Sequence, residues 1–333
     1  MSKSATVPEL AASQSGTRFG ILRDYGSLFG MCLVLIVFAI VKSEFMAFHN
    51  ILGVLTQSTI LIVLSLAMLM VMSVRAVDLS VAQVADAASI IAAASLIHDL
   101  PVWAAYLLPV AFGLIVGVAN GVLMSYLGVP AIIGTLGMMF VIRSLELIYT
   151  NGGQPQILFT LPRGVTEPFL YLGQGNLTAG IPFLLAFAVI ISVAAFLSRE
   201  RSVLGRRMDA INGNVRTSFL AGVQIKKVFA SAFVISGAMA AIAGIVLTSR
   251  TGIAVPRGSE SYLLEGFVAV YLGTLASKTN RMNVVGTLIG ALFVSFLNNW
   301  LTLMGIGAEY KNILSGCFIL IAIAIGALRK PKS

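Results

Sequence analysis

Along most of the chain, apolar residues come in long continuous runs separated by short polar breaks. They do not alternate with period two, as the strands of a spanning β-barrel would. Ten runs are read, at about 26–43, 51–74, 79–97, 102–126, 130–149, 180–198, 228–249, 262–276, 284–304 and 312–328. Most reach the roughly 20 residues that a helix needs to cross the hydrocarbon layer. The pattern predicts an all-α polytopic membrane protein with about ten transmembrane helices spanning residues 26–328, flanked by polar tails at 1–25 and 329–333. The third and eighth runs are short and carry Asp86 and Glu265. A carboxylate facing lipid is expensive, so these two are expected inside the bundle.

Composition agrees: 58% of residues are hydrophobic and 11% charged, against about 25% charged in soluble domains. The formal net charge of +9 does not point to nucleic acid, because the basic residues lack interleaved aromatics and sort onto loops. An even number of spans puts both termini on one side. If that side is the cytoplasm, 16 of the 22 Lys and Arg lie inside, 5 lie outside and Arg143 sits within a run. That split matches the positive-inside rule. Two loops are long. Residues 150–179 are expected outside; residues 199–227 are expected inside and carry seven of the sixteen inner basic residues.

Few residues offer chemistry. Cys32 and Cys317 lie within apolar runs, and His49 and His98 are isolated. No metal set and no nucleophile–base constellation can be built from them, which argues against a membrane enzyme. The stretch RAVDLSVAQVADAAS (75–89) interrupts the membrane sequence with two aspartates. Asp78 reads as structural, a cap for the helix that follows or a turn partner for Arg75. Asp86 lies deeper and fits either buried hydrogen bonding or a polar path. Arg143 and Glu146 are three apart on one helix and read as a self-neutralising structural pair. Glu265, Asn298 and Asn299 are candidate path residues together with Asp86. They suit a polyhydroxylated solute, and they are equally explained as interhelix hydrogen bonds.

Segments 113–143 and 286–325 echo one another weakly. Each opens on Gly-x-x-x-Gly, continues to an Asn and a glycine turn, and ends in a second apolar run. A duplicated unit is a common transporter device. Gly113, Gly117 and Gly121 recur every fourth residue, which predicts a smooth face for close helix packing. In the inner loop, Asn214 can cap a short helix in which Val215 and Phe219 fall four apart beside Gly222. Such a helix can lie among lipid headgroups or dock into a groove on a cytoplasmic protein.

Several segments together resemble the permease subunits of bacterial ABC importers of the ribose and monosaccharide type. VDLSVAQ (77–83), VPAIIGTLGMMFVIRSLELIYTNGG (129–153), LGRRMDAINGNVRTSFLAGV (204–223) and AIAGIVLTSRTG (241–252) carry the likeness, which covers about residues 26–328. The resemblance implies a type II-like importer fold, a pair of permeases, two cytoplasmic ATP-binding subunits and a periplasmic solute-binding protein. It implies that the loop 199–227 couples to the ATPase, with Gly205, Asn214, Val215, Phe219 and Gly222 on the coupling element. The chain has no Gly-x-x-x-x-Gly-Lys-Ser/Thr, so it cannot cradle ATP by that motif; no cofactor is expected in this chain, and ATP is expected on the partner subunit. The expected function is import of a small sugar or sugar-like solute; an ion-coupled secondary transporter of a small polar solute is the alternative. The chain departs from the family where Arg75-Ala76 replaces two glycines, where Ala82 replaces one, and in LGTLASKTNRMN (272–283), which has a single glycine. The second permease is then either a further copy of this chain or a paralogue, and these departures suggest a heterodimer whose partner keeps the glycines.

Overall fold

The computed structural model describes residues 17–177, 180–276, 281–307, 310–314 and 316–317; for 17–27 the backbone alone is described. Helices α1 (Thr17–Val41), α2 (Phe48–Met72), α3 (Val81–Ile97), α4 (Val102–Ser125) and α5 (Ala131–Tyr149) run in sequence. Helix α6 (Arg163–Gln174) lies in the long loop after α5. Then come α7 (Phe183–Phe196), which continues as a π-turn over Leu197–Arg201, and the short α8 (Val203–Gly213) and α9 (Val215–Leu220). Helices α10 (Ile225–Thr251), α11 (Glu260–Leu275) and α12 (Val284–Leu303) follow. Nine of the ten expected spans coincide with these helices. The tenth, 312–328, lies largely outside the described residues.

Among the described residues, six helices are long and apolar enough to cross a membrane: α2, α4, α5, α7 with its π-turn, α10 and α12. The expectation for the weak runs is met by α3, whereas α11 is buried only in part. Helices α3 and α11 have 17 and 16 residues, short of a full crossing, and α3 is buried along almost its whole length. Helix α3 packs chiefly against α10, α4 and α5, and α2 packs against α10, α12 and α11. Residues 58–72 of α2 are all buried, as expected for a helix apolar on every side. Helix α10 packs against α4, α3, α2 and α6.

Small residues set how closely these helices cross. A Cβ on Gly113 would strike the Gly237 carbonyl, and one on Gly117 or Gly121 would meet the α10 backbone at Phe233 or Ala230. The stripe read from the sequence is therefore the α4–α10 contact. The echo in α12 is used likewise: Gly286 abuts Gly273 and Gly290 abuts Ala269, both on α11.

Two connections were not legible in the sequence. On the face opposite α8 and α9, a two-residue antiparallel pairing joins Gln156 and Ile157 to Ala254 and Ile253. Helix α6 is bolted beside it: Ser249 Oγ accepts from Gly173 N (2.8 Å) and donates to the Phe169 carbonyl (2.7 Å). The other face, carrying 199–227, is the basic face.

Candidate transport site and coupling surface

Asp86 is fully buried, and its Oδ1 accepts from the backbone N–H of Ser259 at 2.6 Å. Ser259 is the residue before α11, and no side chain of its own segment caps that helix. Asp86 therefore acts as a cap supplied from α3, 173 residues away, at a helix end that attracts negative charge. Its Oδ2 has no hydrogen-bond partner. The contact ties α3 to the start of α11.

Glu265, Asn298 and Asn299 come together away from Asp86. They line a cavity of about 160 Å³ with Gln57, Tyr262 and Lys311. The Asn298 side chain and the Glu265 carboxyl face the same cavity. Asn299 and Asn50 exchange amide hydrogen bonds at 3.0 Å in each direction. Lys311 Nζ donates to Thr302 Oγ1 at 2.7 Å. The cavity offers amides, a hydroxyl, a carboxylate and an ammonium within one wall, a donor and acceptor set that matches a polyhydroxylated molecule. Of the four candidate path residues the fold gathers three and sets Asp86 apart.

Arg143 and Glu146 stay within electrostatic reach of one another, but among the described residues no salt bridge joins them. Arg143 pairs with Glu260 at the start of α11 (3.6 Å), which also takes Arg257 (2.8 Å). Glu146 is buried with neither carboxylate oxygen hydrogen-bonded. Spacing of three brings two side chains to one face of a helix, but α11 supplies a better-placed acid. Arg143 keeps a structural part, as a tie between α5 and α11.

Asp78 lies outside the spanning helices, in the turn between α2 and α3. Its Oδ1 accepts from Ser80 N (2.9 Å) and Ser80 Oγ (2.6 Å). Asn120 of α4 donates to Ser80 Oγ (3.0 Å), and Thr135 of α5 accepts from Leu79 N (3.1 Å). Burial pushes the Asp78 carboxyl up to about 6, against the Ser80 hydrogen bonds that lower it. Asp78 therefore closes a local turn onto Ser80, and no side chain caps α3. Arg75, the other partner considered for it, instead reaches the inner loop.

That loop is more ordered than its sequence foretold. Asn214 caps α9 through Oδ1, which accepts from Thr217 N at 3.0 Å. Gly222 ends the turn after α9 at φ 79°, a conformation that glycine adopts without strain. Gly205 is buried, and a Cβ there would collide with the Arg199 carbonyl; its part is close packing of α8 on the π-turn. Val215, Phe219 and Leu220 of α9 are exposed, Phe219 by 68% and Leu220 by 77%. Sequence reasoning missed the hub beneath them. Buried Arg199 donates to Ser73 Oγ (2.9 Å), to Asp209 Oδ1 (2.6 Å) and to the Met282 carbonyl (3.2 Å). One guanidinium thus joins α2, α8 and the segment before α12, using donors fixed in a planar fork. In the sequence Arg199 is one basic loop residue among seven.

On the opposite face the loop after α5 walls a cavity of about 570 Å³, lined by Phe159, Arg163, Glu167, Tyr171 and Gln174 among others. Comparison with known proteins places the whole bundle. Residues 50–323 match the family model described as branched-chain amino acid transport system / permease component. The chain is 31% identical over 318 residues to the ribose import permease protein RbsC of Bacillus subtilis, covering 95% of this chain and 97% of that one. It is 29% identical to the ribose import permease protein RbsC of Haemophilus influenzae, covering 91% and 92%. With the D-allose transport system permease protein AlsC of Escherichia coli it shares 24% over 96% of each chain. No solved structure matches it. With six helices able to cross a membrane and a family match over most of its length, the chain belongs to the family of branched-chain amino acid transport system permease components.

Proposed function

We propose that this chain is a permease subunit of an ATP-driven importer and carries a small sugar or sugar-like solute across the bacterial inner membrane. The names of its relatives, which include ribose and allose permeases, support the solute class. The observation that carries the reading is α9. Its Val215, Phe219 and Leu220 present an apolar face on a basic hairpin, a shape suited to a groove on another protein. In this reading residues 26–328 form the permease domain, 199–227 is its coupling loop, and the tails 1–25 and 329–333 are cytoplasmic. Two ATP-binding subunits meet the basic face and hold the ATP. A periplasmic binding protein delivers solute to the opposite face, over the cavity beside α6. Glu265, Asn298 and Asn299 line the path with weak polar contacts, while Asp86 supports it from the start of α11. The second permease is a paralogue, because Arg75 and Ala76 stand where a glycine pair is usual.

Vesicles reconstituted with this chain, the co-purified ATPase subunits and the binding protein test the reading with labelled ribose, allose and galactose as probes. Uptake is expected to require ATP, and Phe219→Asp is expected to abolish it while the bundle still folds. Uptake by this chain alone, driven by a proton or sodium gradient, refutes the proposal. Mass analysis of the same preparation decides the pairing: two copies of this chain with no second permease excludes the heterodimer.

A further inference from the structure

Arg75 is exposed and adopts φ 62°, a left-handed conformation that side chains other than glycine rarely hold without compensating contacts. The Arg75 side chain makes such contacts. Its Nε donates to the Asn212 carbonyl (2.7 Å) and its Nη2 to the Gly213 carbonyl (2.9 Å). These are the last two carbonyls before Asn214, where α8 stops and α9 starts. Carbonyls at a helix C-terminus lack partners within the helix and carry partial negative charge. A planar guanidinium can span two of them at once, as a lysine ammonium cannot.

The other end of Arg75 is the turn between α2 and α3. Three residues on, Asp78 locks Ser80, Ser80 takes Asn120 of α4, and Leu79 N holds Thr135 of α5. One side chain therefore joins the root of the exposed helix α9 to a buried polar knot at the ends of α3, α4 and α5. The Arg199 hub ties the same α2 terminus to α8 through Ser73 and Asp209, but it lies on the far side of α8 from the α9 junction in sequence. A glycine at 75 would relax the backbone and lose the link.

We infer that Arg75 is a positioning residue for coupling. It is the strut through which displacement of α9 by the ATPase reaches the α2–α3 turn and, through it, α4 and α5. The inference rests on the importer reading and adds to it the residue on which force transfer depends.

The test uses the complex purified from its native membrane through a tag on this chain, with Cys32 and Cys317 replaced by serine and a reporter at Leu79→Cys. Maleimide labelling of the reporter is timed without nucleotide and after trapping with ATP and vanadate. In the parent the two rates are expected to differ by about fivefold or more, the lower range of coupling between linked sites. In Arg75→Gly the ATPase subunits should still co-purify and hydrolyse ATP, but the two rates should converge. Arg75→Lys, which keeps the charge without the fork, should fall between, and it decides the matter if the glycine variant does not assemble. A parent-sized difference in either variant overturns the inference, as does no difference in the parent. If the parent carries no ATPase subunit, it is the importer reading that fails, and the strut with it.

Discussion

Replacing Asp86 separates a structural carboxylate from a transporting one. In Asp86→Ala the Ser259 N–H loses the 2.6 Å bond to Oδ1 while remaining in the buried interior. A hydrogen bond to a charged group contributes about 1.5–3 kcal/mol, and an orphaned buried donor adds its own desolvation cost. Loss of the cap on α11 lies in the same range, about 0.5–2 kcal/mol for ordinary N-caps, and describes the same bond rather than a second one. A destabilisation of about 2–3 kcal/mol follows. Asp86→Asn keeps an acceptor at Oδ1 and removes a charge whose second oxygen has no partner, so it should stay within about 1 kcal/mol of the parent. The assay is thermal unfolding of the detergent-purified chain, followed by ATP-driven uptake in the reconstituted importer. The alanine variant should melt several degrees lower, and the asparagine variant should melt near the parent and transport at a comparable rate. Equal melting of alanine variant and parent would refute the capping argument. Normal folding with complete loss of transport in Asp86→Asn would mean that the charge itself is used, as an ion-coupled carrier requires.

Two further outcomes follow from the geometry. Gly237→Leu should disrupt the α4–α10 crossing, because even a Cβ at Gly237 meets the Gly113 carbonyl; a loss beyond the roughly 1–3 kcal/mol of ordinary overpacking is expected, and unchanged melting would show that the helices can part cheaply. For Asp78, burial raises the carboxyl from 3.8 to about 6, so the folded chain binds a proton more tightly than the unfolded one and stability from this group falls as pH rises between about 4 and 6. Asp78→Asn, which keeps an acceptor for Ser80, should match the parent at pH 4 and exceed it above pH 6 by up to about 3 kcal/mol; a difference between the two that does not vary with pH contradicts this.

The membrane bundle was legible because hydrocarbon imposes one rule on every residue of a span: be apolar and satisfy the backbone internally. That rule acts locally, so run length marked α2, α4, α5 and α10 to within a few residues, and broken apolarity marked α3 as an inner helix. The Asn214 cap and the glycine stripe of α4 were legible for the same reason, since each depends on neighbours within one helix. Partners across the fold were not. Arg143 and Glu146 looked paired because they share a helix face, yet Glu260 is the acid that α11 brings to Arg143. Asp86 meets Ser259 and Arg75 meets Asn212 across 173 and 137 residues of chain, separations at which spacing carries no information. What the sequence determined by itself was the solvent in which each segment lives. Which buried polar group answers which was decided only by tertiary packing, because a charge inside a low-dielectric bundle accepts whatever partner the helix crossings deliver.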